Sequence, residues 1–174
     1  VPMHRAMTFS YGAGHHSSNM DSVIHRRETK TKKNYHDHDI ELAYKFAKNI
    51  HKELEDMLKA VVLFGSVARS AEDSNDIDIL LLVDDVEILF SEEIVQTYRV
   101  IVRRVLSETS DKIHVTSMKF TSFWDYVRNG DPIATNMLRD GYALLDTGIF
   151  GPLQHLLRQG RIAPSKECVA LYMN

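Results

Sequence analysis

Val61-Val62-Leu63-Phe64-Gly65-Ser66 and, after a polar stretch, Asp76-Ile77-Asp78-Ile79-Leu80-Leu81-Leu82 decide how this chain is read. One short apolar run ends in Gly-Ser, and a second opens with two aspartates one residue apart. In an extended strand alternate side chains point to the same face. Asp76 and Asp78 therefore lie side by side, with Ile77 and Ile79 turned into the core. Two parallel carboxylates repel each other unless a cation lies between them, and Mg²⁺ is commonly held by one or two carboxylates plus substrate phosphates. Gly65 lets the backbone approach a phosphate closely, and Ser66 adds a hydroxyl and an amide N–H. Alone, Asp-x-Asp reads as a solvated strand edge and Gly-Ser as a turn. Together, at the ends of two apolar runs, they point to a metal–nucleotide site.

Outward from that pair, the chain has 174 residues, enough for one domain with appendages and a sizeable core. It is 44% hydrophobic and 26% charged, as soluble globular proteins are, and its net charge of −3 argues against wholesale polyanion binding. No apolar run approaches the ~20 residues of a membrane span, and the start carries no basic-then-apolar signal. The single cysteine, Cys168, excludes an internal disulfide and reads as an inert thiol. A cytoplasmic location is expected. Residues 1–36 carry Arg5, Arg26, Arg27, Lys30, Lys32 and Lys33 against Asp21 and Glu28, with no apolar period. They are expected to form a flexible basic arm or a leader. Residues 37–165 are expected to form the folded domain, and 166–174 a C-terminal tail.

Asp37 or Asp39 is expected to cap a helix running to about Lys59, with Ala43, Phe46, Ala47, Ile50, Leu54, Met57 and Leu58 on its apolar face. Four adjacent residues cannot converge on one ion, so His36-Asp37-His38-Asp39 reads as a solvated helix start rather than a metal site. Strands are expected at Val61–Phe64, Ile77–Val83, Lys112–Met118 and Tyr142–Asp146, the last at an edge. A short helix should open in Gly65–Ser70, before a polar loop over Ala71–Asn75. Further helices are expected at Glu92–Leu106, Phe120–Arg128, Asp131–Arg139 and Pro152–Arg158. The expected fold is α/β (α+β), a small mixed β-sheet with helices packed on one face.

Phe64-Gly65-Ser66-Val67-Ala68-Arg69 followed by Ser74-Asn75-Asp76-Ile77-Asp78-Ile79-Leu80 resembles the signature of the minimal nucleotidyltransferases of the DNA polymerase β superfamily. The run Asp140-Gly141-Tyr142-Ala143-Leu144-Leu145-Asp146-Thr147-Gly148 is similar to the tail of small prokaryotic members, and the resemblance covers roughly residues 40–163. It implies a polymerase-β-like fold and a reaction in which AMP passes from ATP to an acceptor hydroxyl. Gly65 and Ser66 would hold the β- and γ-phosphates, with Arg69 one turn on steadying them. Asp76 and Asp78 would bind two Mg²⁺ ions that align the α-phosphate with the attacking hydroxyl. Active members carry a third carboxylate on a neighbouring strand. Here the matching position is His114, and Asp111 lies just before the strand. Imidazole is a poor Mg²⁺ ligand, which leaves three alternatives: His114 as a general base, Asp111 reaching in, or a weak catalytic metal.

Small members of that family often act as antitoxins that adenylylate a partner toxin of the HEPN class, so the resemblance implies a protein acceptor docked from outside. An RNA-end or small-molecule nucleotidyltransferase is the alternative enzyme; only the basic arm supplies positive charge for nucleic acid. A third reading is non-enzymatic, a nucleotide-binding module that lacks the third acid. Phe120, Phe123, Trp124 and Tyr126 read mainly as core residues, with a docking face as the other role. The acceptor, the base preference and self-assembly are open at this stage.

Overall fold

A computed structural model describes residues 35–65 and 76–165. Helix α1 (Asp37–Leu54) forms because Ala43, Phe46, Ala47, Ile50 and Leu54 recur at helical spacing and are all buried. It stops short of the expected end near Lys59. Glu55 turns to a φ of 44°, a single 3₁₀ turn follows at Glu55–Met57, and strand β1 (Leu58–Phe64) starts earlier than expected. The cap also differs from expectation: His36 holds the N-cap position without a side-chain bond, while Asp37 and Asp39 fall in the first turn. There their charge faces the positive end of the helix dipole. Asp39 is buried and pairs with Lys112 at 3.8 Å.

β1 joins β2 (Ile77–Val83), β3 (Ile113–Lys119) and β4 (Tyr142–Asp146) in a four-stranded sheet of order β3-β2-β1-β4. β1 runs antiparallel to both β2 and β4, and β2 runs parallel to β3. Parallel neighbours need a crossover, and helix α2 (Glu92–Thr109) supplies it, capped by Ser91. The sheet is mixed, as expected from the sequence.

The helices do not lie on one face, and this corrects the expectation. Val61, Leu63, Ile77, Ile79 and Leu81 form one core with α1 and α2. Ala60, Val62, Leu80 and Leu82 form a second core on the opposite face, with α3 (Phe120–Arg128), α4 (Pro132–Asp140) and α5 (Phe150–Arg158). β1 and β2 are apolar at both parities, so each face must be removed from water. β3, at the sheet's edge, alternates instead: Ile113 is buried, and His114 and Thr116 are exposed.

Two devices lock the second layer. The Asp146 carboxylate accepts from the amides of Gly148, Ile149, Phe150 and Gly151 and so caps α5, which starts two residues before its expected Pro152. Between α4 and β4, Gly141 admits no side chain. A Cβ there would come within 2.3 Å of the Met137 carbonyl oxygen and 2.9 Å of Val62 Cγ1.

At the closing end of β2, the buried Asp84 pairs with Lys59 at 2.9 Å and accepts from the amides of Val86 and Glu87. Burial opposes its ionisation, but the Lys59 and amide bonds outweigh burial and hold its carboxyl below the ordinary range. Asp85 is held low in the same way, burial being outweighed by bonds from the Thr121 hydroxyl and amide. Groups with depressed folded values stabilise the protein above their unfolded pKa, and that contribution disappears as pH falls through the folded value. The urea midpoint is therefore expected to drop as pH falls below about 4. Lys59→Met should cost about 2 kcal/mol at neutral pH by stranding the Asp84 charge, and Asp84 should then titrate higher. Equilibrium urea unfolding at neutral and acid pH measures both effects.

Candidate nucleotide site at the entry to β2

The β1 and β2 ladders end together. Phe64 is the register partner of Asp78 on one side, and His114 of β3 is its partner on the other. Gly65 follows Phe64 directly, so the end of β1 and the start of β2 adjoin. By strand alternation Asp78 shares the face of Leu80 and Leu82. Those two are fully buried under α3–α5, whereas Asp78 and Asp76 are only half-buried. Among the described residues, the helical layer covers the half of this face that carries Leu80 and Leu82 and not the half that carries the aspartates, while Ile77 and Ile79 are buried on the far side.

Asp76 lies just before β2. Its Oδ1 stands 3.5 Å from His114 Nε2, with the Asp76 side chain 42% exposed and the His114 side chain 60% exposed. That separation is long for a hydrogen bond. His114 occupies the outward central position read from the sequence. Asp111 is exposed in the turn before β3. Ser66 and Arg69, the expected helix over 65–70 beyond Gly65, and the loop over 71–75 lie outside the described residues.

Among the described residues, no three His, Cys, Asp or Glu side chains converge on a common point. The donor chemistry is two carboxylates and one imidazole. Two carboxylates suit an oxygen-preferring cation such as Mg²⁺, whose remaining ligands are water and phosphate oxygens. The neighbouring strand adds the imidazole nitrogen of His114, a poor ligand for such an ion.

One contributor gave no signal in the sequence. Tyr35, within the expected arm, packs against the core beneath α1. Its hydroxyl donates to the Phe64 carbonyl at 3.0 Å and accepts from the Asp78 amide at 3.4 Å.

No protein-family model matches the sequence, and no characterised protein sequence matches at a significant level. Comparison with solved structures finds a chain from the complex of tri-AMPylated Shewanella oneidensis HEPN toxin with MNT antitoxin. It is 14% identical, with a TM-score of 0.41 over 77% of this chain and 98% of that one. A toxin–antitoxin structure with AMP-PNP gives 14% identity and a TM-score of 0.41 over 75% and 98%. The toxin–antitoxin MntA–HepT gives 15% and 0.41 over 77% and 99%. Likenesses at that level assign no activity or partner to this chain. Among the described residues no helix is long and apolar enough to cross a membrane.

Of the aromatic residues considered for docking, Phe123 is fully buried, whereas Trp124 is 50% and Tyr126 41% exposed.

Proposed function

We propose that this chain is a nucleotidyltransferase that moves AMP from ATP to a hydroxyl of an acceptor, the acceptor being a partner protein of the HEPN-toxin type. The observation that supports this reading most is that Gly65, Asp76 and Asp78 adjoin at one end of the β1/β2 pairing, none of them fully buried. The Gly-Ser…Asp-x-Asp signature supports it independently.

In this reading the acceptor oxygen forms a bond to the α-phosphorus while the bond from that phosphorus to the bridging oxygen breaks, and pyrophosphate leaves with the electron pair. Gly65 and Ser66 receive the β- and γ-phosphates, and Arg69 adds positive charge to them. Asp76 and Asp78 would hold Mg²⁺, which when bound supplies charge neutralisation on the phosphates. His114, beside Asp76 and open to solvent, is the group placed to take the acceptor's proton.

A second reading draws on the same histidine. With imidazole where a third carboxylate is expected, the chain would bind ATP and turn it over weakly or not at all. The deciding experiment incubates the chain with α-labelled ATP, Mg²⁺ and a HEPN-type partner. Label on the partner supports transfer. Calorimetric binding of ATP–Mg²⁺ with no label and no pyrophosphate supports the binding module, and no binding at all removes both.

A further inference from the structure

Building on the nucleotide-site reading, we propose that Tyr35 is a positioning residue, whose hydroxyl sets the spacing between the end of β1 at Phe64–Gly65 and the carboxylate-bearing start of β2. A phenol carries one hydrogen and can also accept. Here the hydrogen goes to the Phe64 carbonyl and the oxygen receives the Asp78 amide, so one atom bridges two strands. The bridged residues are the last register pair of the β1/β2 ladder. Gly65 follows one of them, and the other is a proposed metal-binding residue itself.

The direction of approach matters. The Tyr35 ring packs with the core formed by α1, α2 and the odd-numbered residues of β2. The Asp78 carboxylate belongs to the opposite face. Tyr35 therefore grips the Asp78 backbone from behind and takes no space from a nucleotide in front. Its own position is fixed from both sides, by ring packing and by the start of α1, which the Asp39–Lys112 pair ties to the residue before β3. A half-buried ring with a polar tip at a strand end suits this role, because the ring packs on the core while the hydroxyl joins the two residues of this rung.

A displacement of about 1 Å in a catalytic group is enough to lower turnover about a hundredfold. Tyr35→Phe removes the bridge and keeps the ring. In the full chain, amide hydrogen exchange followed by NMR should quicken about tenfold or more at Asp78 while Ile79–Leu82 stay unchanged. AMP transfer should show kcat reduced by roughly ten- to a hundredfold, with the KM for ATP changed much less and the thermal midpoint nearly constant. Unchanged Asp78 exchange overturns the proposal. So does a fall in protection along all of β2 with a lowered midpoint, which marks a merely structural tyrosine, and so does quickened Asp78 exchange with an unaltered kcat. A wild-type chain that binds no ATP removes the underlying reading instead; Asp78 exchange then still decides whether the hydroxyl sets the spacing.

Discussion

Asp76→Ala combined with Asp78→Ala is expected to abolish AMP transfer, by at least about a thousandfold, because these are the two carboxylates assigned to the cation and, among the described residues, no cluster of three His, Cys, Asp or Glu side chains offers another site. Both side chains are half-buried, and Ile77 and Ile79 carry the packing of this strand end. Removing the two carboxylates leaves no large cavity, so the thermal midpoint should shift by no more than about 5 °C. Initial rates of label transfer, read beside a circular-dichroism melt of the same sample, separate lost chemistry from lost folding. Full labelling by the double variant would end the nucleotidyltransferase reading.

Phe150→Ala carries the largest expected cost in stability, about 3–5 kcal/mol. The ring is fully buried and stacks on Phe123 at a centroid distance of 6.1 Å. It also lies against Gly141, its Cζ being 3.0 Å from where a Cβ would stand. Its removal opens a void where α3, α5 and the α4–β4 junction meet, and the rigid sheet cannot collapse into it. The urea midpoint should fall with an unchanged slope, and the thermal midpoint by roughly 10 °C. Trp124→Ala, on the exposed side of α3, should stay within about 0.5 kcal/mol. A similar loss from both substitutions would mean that the second core does not hold this face.

Ile77–Val83 was legible to the residue because an apolar run interrupted only by Asp78 is bounded by Asp76 on one side and the Asp84-Asp85 pair on the other. The alternation around His114 likewise identified the residue that faces the aspartates, since β3 is covered on one side only. Elsewhere local pattern misled. Met57 and Leu58 continue the helical spacing of Leu54, yet they belong to a turn and a strand, because the break at Glu55 is a backbone choice with no residue-type signal. The second helical layer was implied by the two apolar parities of β1 and β2, but its partners are too distant in sequence for periodicity to connect. Tyr35 was the least readable: its two bonds span 29 and 43 residues. Nothing in its neighbours marks it.

The position of β4 bears on how the chain is made. β1 is an inner strand only because residues 142–146 pair with its outer side. On the ribosome, β1 and β2 emerge long before β4 and α5. Until then Leu58–Phe64 is a rim with bare hydrogen-bonding groups and apolar side chains on both surfaces, the kind of segment that recruits foreign strands. A message truncated after residue 140 would leave that rim permanently open, so its product should be lost to aggregation or proteolysis rather than persist as a shortened, working protein.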